Sequence, residues 1–181
     1  MHESILTPDS FNNEELYKSC AQMIIGKHLG RGYSRDVYIH AMEPSIVVKI
    51  AMNADGVIAN TNEFDIWDEV QHWKGKYENL KNFFCPVTAM SSDCKVLFMK
   101  RTQPLRVEDI PNEVYTWVTD QKLENFGILD GRLVIHDYGL TLIKNGGITN
   151  RKRKADFYLN EFENSIVNKE NLKEYLNGTS N

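Results

Sequence analysis

Two carboxylates, an amide and a lysine flank the clearest hairpin signal in the sequence. Asp120, Lys122 and Asn125 come directly before this signal, and Asp137 comes directly after it. Because a hairpin returns the chain close to its start, we expect Asp120, Asn125 and Asp137 to converge at one end. Their oxygens suit Mg²⁺, a hard cation that combines carboxylate ligands with substrate phosphates, and the lysine could balance charge on a transferring group. Taken singly, each residue would equally suit a turn or a solvated loop.

A lysine within an apolar segment is the second unusual feature. Lys49 lies in residues 45–50, which are rich in β-forming residues and predict a strand. An inward-facing lysine needs a counter-charge or an anionic ligand, whereas an outward-facing one would simply be solvated. Glu63 offers the counter-charge, because a helical wheel places it on the apolar side of a helix predicted over residues 62–73. The competing interpretation makes Glu63 a first-turn residue that only the helix dipole favours.

A glycine-rich segment lies between two predicted strands. Gly30, Gly32 and Val37 fit the spacing GxGxxxxV. Glycines at such positions let the backbone approach a phosphate without a Cβ in the way. By itself, however, this spacing indicates an ordinary hairpin turn more strongly than a phosphate-binding loop.

The elements that must position these residues form an α+β layout. A first helix, capped by Asp9 or Ser10, should end near residue 20 and lead into an antiparallel meander. The hairpin over residues 128–134 rests on its Asp-Gly pair, since both central residues of such a turn take positive φ. The other predicted elements are strands at 85–87 and 95–99 and helices at 155–167 and 169–176. The apolar side of the helix over 62–73 comprises Phe64, Ile66, Trp67, Val70 and Trp73.

Composition indicates a single globular domain. The chain has 181 residues, of which 41% are hydrophobic and 25% charged, and a net charge of −4. Its apolar runs are too short to cross a bilayer, and its first residues lack the pattern of a secretory signal. Three cysteines without a CxxC pair favour reduced packing residues in the cytoplasm. The mild acidity does not support nucleic-acid binding, so the basic run at 151–154 is predicted to be a solvated turn before a helix.

These motifs, in this order, resemble those of the protein kinase-like fold. The resemblance covers residues 29–140 and includes the glycine-rich loop, the strand lysine, its helix partner, the catalytic loop and the Asp-Phe-Gly motif, here Asp137-Tyr138-Gly139. It implies one minimal kinase-like α+β domain over 1–181. A β-meander lobe with one helix would occupy about 22–102, and a strongly shortened helical lobe about 103–181. In its small size the chain more narrowly resembles compact kinase-like proteins encoded by bacteriophages.

The resemblance also implies a role for each residue. Asp120 and Lys122 would be catalytic, with the carboxylate accepting or orienting the proton of the substrate hydroxyl. Asn125 and Asp137 would bind Mg²⁺. The ATP-binding residues would be Leu29, Gly30, Gly32, Val37, Lys49, Glu63 and Met99.

Several departures fall on the side that would bind a peptide substrate. Val118-Thr119 replaces the His-Arg that precedes the catalytic Asp in protein kinases, and no Ala-Pro-Glu follows Gly139.

A further departure lies in the glycine-rich loop, where Arg35 replaces the third glycine. This arginine would either weaken closure of the loop over phosphate or supply an extra cation.

Three functions therefore stay open at this stage. The first is ATP- and Mg²⁺-dependent phosphoryl transfer to serine or threonine hydroxyls of proteins, in a phage context those of the host. The second is a binding module without catalysis that inhibits or sequesters a host protein. The third is a kinase of small molecules, which needs less docking surface.

Overall fold

An antiparallel sheet of five strands forms the first half of the protein. The computed structural model describes residues 13–139 and 149–158. Helix α1 (Asn13–Ile24) precedes the sheet and extends past its predicted end near residue 20, while its predicted caps lie outside the described residues. The strand order is β1-β2-β3-β5-β4, in which β1–β3 form the predicted meander. The strands are β1 (Ile25–Arg31), β2 (Arg35–His40), β3 (Ile46–Ala51), β4 (Val87–Met90) and β5 (Val96–Lys100).

The helix that packs on this sheet starts earlier than its periodicity predicted. Helix α2 (Ala54–Gln71) begins eight residues before position 62, because the Asn53 side chain caps it and accepts a hydrogen bond from the Gly56 amide at 3.0 Å. Glu63 consequently lies within the helix, so its interpretation as a first-turn residue is wrong. Phe64 is 38% exposed, and its assignment to the apolar side is also wrong. It lies about 100° around the helix from its buried neighbour Glu63.

Short strands and 3₁₀ turns make up the second half. The predicted hairpin is confirmed as β7 (Phe126–Leu129) and β8 (Arg132–Ile135), with positive φ at Asp130 (51°) and Gly131 (73°). A second pair joins β6 (Glu113–Tyr115) to β9 (Lys152–Lys154). The 3₁₀ segments are Gly75–Phe83, Val107–Asp109 and Leu123–Asn125.

The basic run is therefore a strand and not the predicted turn before a helix. In its pairing with β6, Lys154 lies opposite Glu113, a cross-strand pair of opposite charges. Residues 155–158 continue without helical structure, which contradicts a helix starting at 155. The remainder of the two predicted terminal helices lies outside the described residues. The α+β class is confirmed, and the division into two lobes stays a prediction.

One hydrophobic core connects the sheet to the hairpin. It includes Val47 and Leu97 of the sheet, Val70 of α2 and Ile135 of β8. All three tryptophans, Trp67, Trp73 and Trp117, contribute to it. Trp117 is 5% exposed and stacks on the Phe84 ring, and the other two are partly buried against the core. Because this core spans both halves, it fixes the segment after β8 relative to α2.

Two further predictions, on membrane-spanning helices and on the cysteines, can be compared with this structure. Within residues 13–139 and 149–158, no helix has the length and apolar character needed to cross a membrane. All three cysteines carry free thiols: Cys20 is exposed, Cys94 partly buried and Cys85 buried. The prediction of a packing residue is therefore confirmed for Cys85 and wrong for Cys20.

Candidate active site

A buried ion pair joins β3 to α2 at the centre of the site. Lys49 Nζ lies 2.9 and 3.1 Å from the two carboxylate oxygens of Glu63, and the two side chains are 5% and 0% exposed. The same ammonium donates to the backbone carbonyl of His136. Lys49 thus faces inward with a counter-charge, and the alternative of an outward, solvated lysine is wrong.

Arg35 is a second buried cation on the same carboxylate. It is the first residue of β2 and is 6% exposed. Its Nη2 lies 2.9 Å from Glu63 Oε1 and 2.7 Å from Asp137 Oδ1, and its Nη1 lies 3.2 Å from Asn60 Oδ1. Sequence reasoning considered this arginine only as a substitute for a loop glycine. Nothing in the local sequence indicates its position, because its partner Asp137 lies 102 residues away in sequence.

The charges of this cluster hold Asp137 in its ionised form. Burial favours the neutral carboxyl, but the positive charges of Lys49 and Arg35 outweigh this effect and lower the pKa of Asp137 below its usual value. Burial likewise disfavours the charged guanidinium, yet Glu63 and Asp137 raise the pKa of Arg35. The Asp137 side chain is 46% exposed. The cluster therefore presents one ionised carboxylate toward solvent.

The hairpin brings Asn125 and Asp137 together, as predicted. The Asn125 carbonyl accepts hydrogen bonds from the amides of His136 at 2.8 Å and Asp137 at 3.3 Å. These bonds extend the β7–β8 ladder by one step beyond the pairing of Phe126 with Ile135. The end of the hairpin thus holds the backbones of Asn125 and Asp137 within hydrogen-bond distance.

The residues after Asp137 are fixed on α2. The Tyr138 amide lies 3.3 Å from Glu63 Oε1, and the Gly139 carbonyl accepts a 2.7 Å bond from Asn62 Nδ2. A Cβ at Gly139 would lie 2.4 Å from the Ala59 carbonyl oxygen, so only glycine permits this close approach. The position of Asp137 therefore depends on the position of α2.

His136, which sequence reasoning did not single out, links three segments beside the site. Its Nε2 lies 2.6 Å from the Glu124 carbonyl oxygen, and its Nδ1 lies 2.9 Å from Thr102 Oγ1. Burial and the nearby charge of Lys49 lower the pKa of His136, so the ring is neutral at pH 7. In that form Nε2–H donates to the carbonyl, and Nδ1 accepts from the threonine hydroxyl.

Asp120 and Lys122 lie on the loop that leads into the hairpin. Asp120 Oδ1 accepts hydrogen bonds from the Lys122 amide at 3.2 Å and from the Tyr158 hydroxyl. Both side chains are partly buried. The hydrogen bonds of Asp120 therefore connect it to this loop and to residue 158 rather than to the ion-pair cluster.

The predicted nucleotide-contacting residues divide into accessible and buried ones. Leu29 is 45% exposed, Val37 is partly buried, and Met99 is fully buried in the core. A Cβ at Gly30 would meet nothing within 4 Å, and the Gly32 amide closes the turn by donating to Arg35 O at 2.9 Å. No packing contact in the described structure therefore requires glycine at position 30.

The donor atoms next to the hairpin suit a magnesium ion that is only partly held by protein. Among the residues described here, no group of three His, Cys, Asp or Glu side chains could hold a metal ion. Asp137 and Asn125 supply one carboxylate and one amide. Mg²⁺ commonly binds through one or two carboxylates and takes its other ligands from water and substrate phosphates. These residues fit that mode and do not fit an all-protein metal cage.

Comparisons with known proteins give a partial likeness. Neither a protein-family model nor a curated protein matches the chain. The complex of the aminoglycoside phosphotransferase APH(2'')-IIa with streptomycin and ATP is 19% identical, with a TM-score of 0.36 over 54% of this chain and 32% of that one. Its gentamicin complex is 18% identical, with a TM-score of 0.38 over 56% and 33%. The chain thus spans about a third of these structures, and such TM-scores establish neither a shared fold nor a shared activity.

Proposed function

We propose that the protein is an ATP-dependent phosphotransferase with a minimal kinase-like fold, which transfers the γ-phosphoryl group to a hydroxyl. The observation that carries this proposal is the buried Lys49–Glu63 pair, whose network ends in the half-exposed, ionised Asp137. Phosphoryl transfer needs mainly positioning and stabilisation of charge on the transferring oxygens. A cluster of fixed cations beside an ionised carboxylate supplies both.

Each part of the site has a definite task in this reaction. Lys49, oriented by Glu63, would bind the α- and β-phosphates. Gly30, near the end of β1, and Gly32, in the turn that follows, would let the backbone approach them. Asp137 and Asn125 would hold Mg²⁺. When bound, the ion neutralises charge on the phosphate oxygens. Arg35 fixes Asp137 through Oδ1 at 2.7 Å, which orients the carboxylate before any ligand binds.

The transfer step assigns the proton to Asp120. The oxygen of the acceptor hydroxyl forms a bond with the γ-phosphorus while the bond from that phosphorus to the ADP oxygen breaks. The acceptor proton passes to the Asp120 carboxylate, and Lys122 balances charge on the transferring group.

The resemblance to protein kinases makes a serine or threonine hydroxyl of a protein the expected acceptor. If the narrower resemblance to phage-encoded proteins holds, the acceptor would be a host protein and the host cytoplasm the place of action.

A specific observation favours a binding module as the second candidate. Both carboxylates assigned to the reaction already have partners within the chain, since Arg35 bonds to Asp137 and Tyr158 bonds to Asp120. A module that only sequesters a partner could keep these bonds permanently, whereas an enzyme must open the bond at Asp120 to admit an acceptor.

Transfer of a labelled phosphate separates the two candidates. The purified chain is incubated with γ-labelled ATP, Mg²⁺ and a host-cell extract, and labelled protein and released ADP are measured. We expect Asp120→Asn to lower transfer by about 10²–10⁴-fold, the usual contribution of a general base. Asp68→Asn, the same change on the exposed side of α2, should leave transfer unchanged. Equal transfer by wild type and Asp120→Asn would contradict the assigned role, and absence of ADP formation would favour the binding module.

A further inference from the structure

The hydroxyl of Tyr158 occupies the place at Asp120 that the proposed reaction gives to the acceptor. It donates a hydrogen bond to Asp120 Oδ1, and a general base must lie within hydrogen-bond distance of the proton that it removes. We propose that Tyr158 is a phosphate acceptor of this site and is phosphorylated within its own chain. This inference rests on the proposed function, because it requires a competent ATP site.

Backbone hydrogen bonds on both sides hold Tyr158 in this position. Its amide lies 3.2 Å from the Gln121 carbonyl oxygen, and its carbonyl accepts a 2.9 Å bond from the Leu123 amide. These two bonds form a parallel bridge between residues 158 and 122. The tyrosine is thus attached to the loop that carries Asp120, and these backbone bonds hold the two side chains close to one another.

Side-chain contacts on the neighbouring residues reinforce this attachment. Phe157 is 3% exposed and packs edge-on against Phe126, with ring centroids 5.2 Å apart. The Asp156 amide donates a 2.8 Å bond to the side chain of Gln121, which is 3% exposed. A residue attached in this way loses little further freedom on reaction, and such prior orientation raises the rate of an intramolecular step.

The chemistry of the phenol explains why a base is needed at this position. Burial, together with the negative charge and hydrogen bond of Asp120, raises the pKa of Tyr158 to about 12, so the hydroxyl carries its proton at pH 7. During transfer Tyr158 Oη forms a bond with the γ-phosphorus, and the bond from phosphorus to the leaving oxygen of ADP breaks. The proton moves to Asp120 Oδ1. The products are phosphotyrosine and ADP.

The alternative role for Tyr158 is purely positional, with the hydroxyl orienting the Asp120 carboxylate for another acceptor. The two roles differ in where the phosphate ends. An acceptor carries the phosphate, whereas a positioning tyrosine alters the rate and stays unmodified.

The test uses the full chain with ATP and Mg²⁺ and no added acceptor. Phosphorylated positions are mapped by peptide mass spectrometry, and ADP is measured in the same samples. We expect up to one phosphate per chain on Tyr158, formed at a first-order rate that does not change over a tenfold range of protein concentration. Tyr158→Phe should lose this phosphate. Tyr77→Phe, the same change at a partly buried tyrosine beside Trp73, should keep it.

Each other result overturns the inference in a distinguishable way. If ADP forms while Tyr158 stays unmodified, the inference fails and the proposed function stands. A rate proportional to protein concentration would show that one chain modifies another, which contradicts the intramolecular reaction. If neither ADP nor phosphotyrosine forms, the inference fails, whereas the proposed function fails only if the assay with host-cell extract also forms no ADP.

Discussion

Arg35 and Lys49 place two positive charges on one buried carboxylate, that of Glu63. Removing such charges from water costs several kcal/mol for each ion, and this cost is offset only where every charge has a well-placed partner. The Arg35 guanidinium meets this condition through three acceptors at 2.7–3.2 Å. With Asp137 included, the cluster has no net formal charge, so it can persist in the folded chain without a ligand.

The first prediction concerns Arg35. Arg35→Met removes one cation and leaves the Glu63 and Asp137 carboxylates with fewer partners, so we expect it to lower the free energy of unfolding by about 3 kcal/mol. Arg35→Lys should lower the free energy of unfolding by less, because an ammonium keeps the charge. It should still be destabilising, because it lacks the planar fork that reaches several acceptors. Urea unfolding measures the free energy of unfolding of both variants and of wild type.

A surface arginine provides the control for this experiment. Arg106 is 68% exposed and pairs with Asp109, and water screens the charge of an exposed guanidinium. Arg106→Met should therefore have a small effect. Equal losses for Arg35→Met and Arg106→Met would show that the buried network does not contribute as described.

Individual residues could be predicted from the sequence only where local spacing determined their position. Glu63 was placed correctly because helical geometry alone puts it beside Trp67 and Val70. Arg35 and His136 could not be placed in this way. Their partners lie up to 102 residues away in sequence, so their roles depend on how β2, the hairpin and α2 pack together.

At the scale of elements, the hairpin and α2 together determine where Asp137 lies. The hairpin joins the residue to Asn125, and the contact of Gly139 with Ala59 of α2 fixes the chain beyond it. His136 adds a third connection, to Thr102 and to the loop before the hairpin. A substitution of His136 should therefore affect the position of the whole segment that carries Asp137.

The second prediction concerns pH. The pKa of His136 is lowered from its usual value of 6.5, so the unfolded chain binds this proton more tightly than the folded one. The stabilisation is complete above about pH 6.5 and is lost as the pH falls below it. We expect the melting temperature to fall less steeply between about pH 7 and pH 5 in His136→Gln than in wild type, each 1 kcal/mol corresponding to about 2–4 °C.

Other groups should not obscure this pH effect. The carboxylates with lowered pKa in the described part of the chain lose their stabilisation only below their usual value of 3.8; they are Asp36, Asp93, Asp109 and Asp137. His72→Gln, on an exposed histidine at the end of α2, should retain the wild-type slope. Parallel slopes for His136→Gln and wild type would contradict a neutral imidazole in the folded chain.

Elements were predictable where the signal was local and contiguous. The Asp-Gly pair determined the hairpin, because its backbone must take positive φ at both positions. Apolar periodicity identified α2 but missed its first two turns, where small residues and the Asn53 cap replace the apolar pattern. The basic strand β9 was missed because its pairing with β6 joins segments distant in sequence.

At the scale of the whole molecule, one core connects the sheet that carries Lys49 to the hairpin that carries Asp137. Trp117 and Phe84 stack within this core at a centroid distance of 5.3 Å. The lysine that would bind the nucleotide phosphates and the carboxylate that would hold Mg²⁺ are therefore fixed relative to one another before any ligand binds. Such preorganisation is what phosphoryl transfer requires, since most of its catalysis is positioning.

The central claim is that Asp137 and its cluster form a site for ATP and Mg²⁺, and a binding titration tests it most directly. Titration calorimetry with ATP, with and without Mg²⁺, compares wild type with Asp137→Asn. This change removes the charge, while the amide oxygen can still accept from Arg35. Asp130→Asn makes the same change at the exposed turn of the same hairpin, where asparagine tolerates positive φ.

We expect wild type and Asp130→Asn to bind ATP equally in the presence of Mg²⁺. Asp137→Asn should bind at least about tenfold more weakly, a difference of about 1.4 kcal/mol. Omitting Mg²⁺ should weaken the binding of ATP to wild type more than its binding to Asp137→Asn. Equal affinity of wild type and Asp137→Asn for ATP with Mg²⁺, or no binding by the wild type, would contradict the account.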